Sequence, residues 1–207
     1  MLTFGPGTGQ RADDACIGCH QRETHPVSAH RRAGLGCHDC HRVHGEVTPP
    51  APLPGHERMD AASASCQTCH QDVFSRFAMN ERHRLTRGGV GCTDCHDPHG
   101  PSTRRFLGGG TDTCLTCHAD LAGPFVFEHA AGRVEGCLAC HDPHAGPNRH
   151  MLTHQREGEL CYSCHAVMPG FHFGFAATGP PRFGLDTVCT NCHSTIHGSN
   201  LDKDFLR

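Results

Sequence analysis

Residues 83–100 read HRLTRGGVGCTDCHDPHG, and this stretch decides how the rest of the chain is read. Cys92 and Cys95 stand two residues apart and His96 follows at once. His99 comes three residues later, just before Gly100, and His83 precedes the motif across a run that contains glycine. Moving outward, the Cys-x-x-Cys-His phrase occurs eight times: CIGCH, CHDCH, CQTCH, CTDCH, CLTCH, CLACH, CYSCH and CTNCH. All 16 cysteines fall into these eight motifs and none is left over.

The pattern is the attachment signature of c-type haem. Two thioether bonds fix the porphyrin, and the adjacent imidazole ligates iron on one face. The thioether positions are Cys16, Cys19, Cys37, Cys40, Cys66, Cys69, Cys92, Cys95, Cys114, Cys117, Cys137, Cys140, Cys161, Cys164, Cys189 and Cys192. The proximal ligands are His20, His41, His70, His96, His118, His141, His165 and His193. Disulfide scaffolds also have even cysteine counts, but they do not need histidine after every pair. Structural zinc sites pair two C-x-x-C knuckles and have no use for an invariant Cys-His step. Thioredoxin-like motifs sit once or twice in a βαβ context, which is absent here. The expected cofactor is therefore haem c, eight groups, all covalent.

Composition agrees. Of 207 residues 36% are hydrophobic, there is one Tyr and no Trp, and 25 Gly and 14 Pro dilute the apolar positions. No long stretch keeps a helical or strand period. A chain this poor in its own core needs another source of cohesion. Apolar haem faces supply it, so haem binding here is folding energy, as with structural metals.

The motifs come in pairs, which makes a repeat. The second motif of each pair carries an added histidine, in CHDCHRVHG, CTDCHDPHG, CLACHDPHAG and CTNCHSTIHG. Upstream of it lies another: His30 in AHRRAGLGC, His83 in RHRLTRGGVGC and His129 in EHAAGRVEGC. The fourth pair departs from this, and its nearest candidate is His172 in GFHFGF, where Phe171, Phe173 and Phe175 could cover a porphyrin edge. Four two-haem modules are expected at 10–45, 60–101, 108–147 and 155–199, with a Pro-rich linker at 46–59. The repeat thus offers eight distal ligands for eight irons: His30, His44, His83, His99, His129, His144, His172 and His197. His25, His38, His56, His150 and His154 remain, with His25 the rival to His30. His44, His99 and His144 lie three residues after a motif histidine, a reach of about 11 Å at most. That is too short to round a porphyrin tethered by its own cysteines, so each must serve a different haem. The sequence leaves open which haem each mid-module histidine serves. The best helix candidate is 71–85, QDVFSRFAMNERHRL, ending at Gly88 and Gly89.

With its doubled motifs and the phrase CxDCHDPHG, the chain resembles the doubled C-x-x-C-H multihaem cytochromes c over about residues 14–198. That family includes periplasmic electron donors to nitrite reductase and outer-membrane decahaem conduits. The resemblance implies bis-histidine, low-spin haems packed closely enough for electrons to hop, around short helices with little other regular structure. It points to electron transfer between redox proteins, as a relay, as a subunit of a membrane-bound complex, or as a filament built from copies of itself. The rival is a multihaem enzyme with one open iron; all eight motifs keep their histidine, so no variant motif marks a catalytic haem. Tyr162, inside CYSCH, reads as a packing residue.

The one lysine is Lys203, so 17 of the 18 basic residues are arginine, a donor suited to haem propionates or a product of a GC-rich genome. A net charge of −3 gives no reason to expect nucleic-acid binding. No run approaches the roughly 20 apolar residues of a membrane helix. Haem attachment to cysteine implies the periplasm or the outside, yet the first residues, MLTFGPGTGQRADDAC, have no signal-peptide pattern. With the first motif at Cys16 and the last ending at His193, terminal haems are expected to have exposed edges. The intact denatured mass should exceed that of the polypeptide by eight haems; fewer, or zinc in their place, would overturn the count.

Overall fold

The computed structural model of the protein describes residues 9–21, 28–41, 61–85, 89–100, 111–165, 172 and 184–206. Among these the regular structure is a series of short helices. In chain order they are α1 (Gly9–Ile17), α2 (Ala29–Arg32), α3 (Cys37–Cys40), α4 (Ala61–Gln67) and α5 (Gln71–Arg76), then α6 (Cys92–Cys95), α7 (Thr111–Leu115), α8 (Ala130–Val134) and α9 (Glu157–Tyr162). Two-residue strands β1 (Glu81–Arg82) and β3 (Ala145–Gly146) pair antiparallel, as do β2 (Phe127–Glu128) and β4 (Gly198–Ser199). This is a multihaem-cytochrome-like fold of many short helices and paired cysteine motifs. No described helix is long and apolar enough to cross a membrane.

The helices are short because each exists to close one turn. In all eight motifs the histidine N–H donates to the carbonyl of the first cysteine, four residues back, at 2.8–3.0 Å. One helical turn suffices to put two cysteines and a histidine on a fixed frame. The first motif of each pair sits at the end of a helix, with Cys16 in α1, Cys66 in α4, Cys114 in α7 and Cys161 in α9. The second motif forms α3 or α6, or a tighter turn at Cys137–Ala139 and Cys189–Asn191.

The chain forms two compact units, Met1–Phe74 with Arg84–Leu107, and Ser75–His83 with Gly108–Arg207. Each has its own way of docking paired motifs. In the first unit, α3 and α6 begin after glycines, Gly36 and Gly91, which have no side chain to cap the helix. Asp39 and Asp94 accept from those glycine N–H groups at 2.7 Å, one half of a capping box. The other cap comes from the preceding helix of the pair. Cys37 N–H donates to Asp13 Oδ1 at 2.8 Å, and Cys92 N–H donates to Ser63 Oγ at 3.0 Å. Both oxygens are buried, and Ser63 is the largest fully buried side chain among the described residues. The approach is close: a Cβ at Gly36 would meet Asp13 Oδ1 at 2.8 Å. In the second unit Glu157 of α9 accepts from Thr190 N–H at 2.7 Å and Thr190 Oγ1 at 3.0 Å. A side chain just before the first motif thus caps the turn of the second.

Apolar cohesion is slight, as the composition implies. Among the described residues only Ala64 and Ala145 are buried hydrophobics. The expected helix over 71–85 is corrected by the structure: α5 stops at Arg76. Ala78 and Met79 N–H groups bond back three residues, to Ser75 and Arg76 carbonyls at 3.2 and 2.9 Å, which tightens the last turn. Glu81–Arg82 then pairs with Ala145–Gly146, a tertiary contact that outweighs local helix preference. The Pro-rich linker at 46–59 lies outside the described residues.

Losing a buried helix cap costs about 1 kcal/mol. Asp13→Ala and Ser63→Ala should each lower the denaturation midpoint of the haem-loaded protein by that order, read as loss of the Soret signal in guanidinium. Midpoints equal to wild type in both would show that the motif pairs are not docked by these caps.

Candidate haem-attachment and ligand sites

None of the 16 cysteines is joined to another by a disulfide, and all are half-buried or exposed. In the C-x-x-C-H motifs, none of the cysteine–cysteine–histidine trios converges on a point where one ion would be held. Among the described residues the one convergent trio is Glu157, Cys161 and Cys189, whose cysteines belong to different motifs. A zinc knuckle gathers its own two thiolates, whereas a macrocycle holds them apart. Burial pushes the Cys161 thiol up to about 12, helped by Cys189, Glu157 and Cys140. Burial pushes Cys37 up to about 11, helped by Asp13 and Cys16.

The same electrostatics locate the motifs relative to each other. Cys16 hydrogen-bonds Cys37, and Cys189 hydrogen-bonds Cys161, so the first cysteines of paired motifs touch. Burial first and then neighbouring charge, including Cys69, raise Cys40; burial and then Cys164 raise Cys140. Motifs consecutive in the sequence are therefore adjacent in space at these four steps.

Histidines face one another in pairs, each pair made of a motif histidine and a repeat histidine. In the first unit His30 lies over His70 with ring centroids 6.0 Å apart, and His99 over His41 at 5.7 Å. In the second, His83 faces His118 at 6.3 Å, His129 faces His165 at 6.1 Å, His197 faces His141 at 6.3 Å and His172 faces His193 at 6.1 Å. Two imidazoles on opposite sides of one metal, at about 2.0–2.1 Å per bond, have ring centres roughly 6 to 6.5 Å apart. The donor set fits a haem iron between the rings at each pair.

The pairing left open by the sequence follows a rule in this geometry. His30, His83 and His129 each pass over the next motif and face the histidine of the one after it. His99 and His197 each face the histidine two motifs back from their own. His172 departs, facing His193 of the very next motif. His144 is half-buried against the edge of Phe77, 6.1 Å between centroids, with Asp142 Oδ1 3.7 Å from its Nδ1. His20 and His96 are held by the same turn as the other motif histidines. His44 lies outside the described residues, as do His25, His56 and the phenylalanines flanking His172. Burial depresses His129 and His197, each further lowered by the imidazole it faces, His165 and His141. Neutral imidazole is the form that binds metal.

Outer contacts set the rings. His30 Nδ1 is 3.3 Å from the Pro98 carbonyl, and His83 Nδ1 is 2.8 Å from the Pro143 carbonyl. These prolines occupy the same place in two successive HDPH phrases. His141 Nδ1 is 2.8 Å from the His150 carbonyl, and His193 Nδ1 is 2.5 Å from the Asp204 carbonyl. An Nδ1–H donated to a carbonyl leaves Nε2 as the metal-facing nitrogen. The two proline-bound rings are crossed relative to their partners, at 63° and 60°. The other four pairs lie within 8–20° of parallel. Asp142 is pulled toward its charged form by Arg76, against the burial that opposes it. Arg76 also donates to the Ala145 carbonyl at 3.2 Å. Sequence reasoning missed Asp13, Ser63, Glu157, Glu81 and these carbonyls. An oxygen side chain three or four residues before the first cysteine was the available signal for the first three.

A frame that repeats the Cys-x-x-Cys-His turn and sets imidazoles in pairs at metal-bridging separation resembles the multihaem c-type cytochromes with doubled CXXCH motifs. The doubled CXXCH motif family matches residues 83–123 and 129–170. The chain is related to MtrA-like proteins: it is 33% identical over 217 residues to the multiheme cytochrome MtrA of Shewanella baltica (strain OS185). That match covers 97% of this chain and 62% of the relative, so the chain spans less than two thirds of the relative's length.

His172→Ala should remove one half of the His172–His193 pair and convert one haem to high spin, seen in the ferric absorption and EPR spectra. An unchanged spectrum would show that His172 is not a ligand.

Proposed function

We propose that this chain is an electron relay carrying eight bis-histidine haems c, not an enzyme. Haem bound at each motif supplies an Fe(III)/Fe(II) couple. The chain's own part is to hold two imidazoles per iron, fix their planes, and bring consecutive motifs together. The single observation that carries the reading is the set of six histidine pairs at 5.7–6.3 Å, five of them joining one module to the next. An iron with two protein ligands has no open position for a substrate, which is what separates a relay from a catalytic haem. The distal set is His30, His44, His83, His99, His129, His144, His172 and His197. The four modules at 10–45, 60–101, 108–147 and 155–199 are the units between which ligands are exchanged.

Adjacency of consecutive motifs favours transfer between neighbouring haems within each unit, among those at Cys16, Cys37 and Cys66 in the first and those at Cys137, Cys161 and Cys189 in the second. The partners are redox proteins of the periplasm or cell exterior, among them a membrane-bound complex or copies of this chain. Methionine ligation is not expected, so the potentials should be low.

Ferric EPR of the purified protein should be wholly low-spin. At least two haems, those of the crossed pairs, should give the large-g signal of perpendicular imidazoles, and at least four the rhombic signal of near-parallel ones. A high-spin component would signal an open iron and favour the enzyme reading; a methionine–iron charge-transfer band would contradict the ligand set.

A further inference from the structure

We propose that Glu81 and the main chain of His150 form a clamp that positions the His141 imidazole and lowers the reduction potential of the haem at Cys137 and Cys140. The inference rests on the reading that His141 is an iron ligand. His150 is one of the five histidines for which the ligand count has no use.

Its backbone shows what it does instead. His150 has φ 57° and ψ 25°, and Met151 has φ 55°. Two successive side-chain-bearing residues in the left-handed region are unfavourable. Such a turn persists only where its surroundings over-determine it. Here Glu81 Oε2 accepts from His150 N–H at 2.8 Å. Asp142 N–H donates to the Met151 carbonyl at 2.8 Å, and Thr153 N–H donates to the Cys140 carbonyl at 2.9 Å. The chain after the turn is stitched to the motif itself, with Leu152 bridging His141. The consequence is that the His150 carbonyl points at His141 Nδ1, 2.8 Å away.

Glu81 is in place for its own reasons. It stands opposite Gly146 in the β1–β3 pair, and Arg76 anchors the neighbouring Ala145 carbonyl at 3.2 Å. The clamp therefore ties an element upstream of the second module's end to a haem motif in the third. Donation of Nδ1–H to a carbonyl raises the electron density at Nε2 and makes the ring a better ligand for ferric iron. Outer hydrogen bonding is one of the levers by which protein sets haem potential. Stabilising the ferric form lowers the potential, so loosening the clamp raises it.

The test is a potentiometric titration with EPR of haem-loaded wild type, Glu81→Ala, Glu81→Gln and His150→Gly, each checked for covalent haem content by intact mass. Glu81→Ala should raise the midpoint of one haem and alter one low-spin g set. Glu81→Gln removes the charge but keeps an acceptor, and should stay close to wild type. His150→Gly keeps the carbonyl and suits the left-handed turn, and should leave spin state and potential in place. The clamp is overturned by wild-type potentials in Glu81→Ala, by an equal shift in Glu81→Gln and Glu81→Ala, or by one high-spin haem in His150→Gly. Failure of the ligand reading itself would look different: high-spin iron already in the wild-type protein.

Discussion

The arrangement on which the described residues are built is a motif imidazole and a second imidazole brought to within about 6 Å of each other. A ring pair about 6 Å apart has no cohesion of its own comparable to a hydrophobic contact, and neutral rings stacked at that distance gain little. The described residues nevertheless build six such pairs from positions far apart in sequence, such as His129 with His165 and His141 with His197. A metal held between the rings would supply that cohesion, as metal affinity becomes folding energy in small metalloproteins. The scarcity of buried apolar side chains, Ala64 and Ala145 among the described residues, is the other side of the same constraint.

Given that constraint, the rest of the structure concerns rigidity. Each motif needs only one turn, so helices stay at four to nine residues. Short helices are marginal alone, and capping side chains from the preceding motif compensate. Asp13, Ser63 and Glu157 do for the second motif of a pair what an N-cap residue does within one helix. Cysteines of paired motifs are thereby drawn together, Cys16 to Cys37 and Cys161 to Cys189. Carbonyl acceptors at Pro98, Pro143, His150 and Asp204 then fix ring orientation at the histidines they meet.

How much of this was written in the sequence differs from level to level. The recurring turn was legible outright, because cysteine, cysteine and histidine stand at fixed spacing and the structure closes the same turn at each motif. His30, His83 and His129 stood out because they recur in similar runs, but the rings they meet did not. Reach alone forbids His99 from serving its own motif; it does not say that His41 is the ring it meets. The helix expected at 71–85 failed where a two-residue strand pairing outweighed local propensity, an effect that no window of sequence contains. The contact of His150 with His141 was invisible in the sequence because it is made by a main-chain carbonyl, and a histidine side chain draws attention to the wrong atoms.

Among the described residues the ring pairs keep a fixed stride along the chain. His30, His83 and His129 each pass over the next motif to meet the histidine of the one after it. His99 and His197 each reach back in the same way, past one motif to the histidine of the one before it. Rings placed so interlock neighbouring motifs, since displacing one motif parts a ring pair that belongs to another. His172 breaks the stride and meets His193 of the very next motif. It does so from a segment whose sequence departs from the other repeats, so the change of spacing in the sequence and the change of pairing coincide.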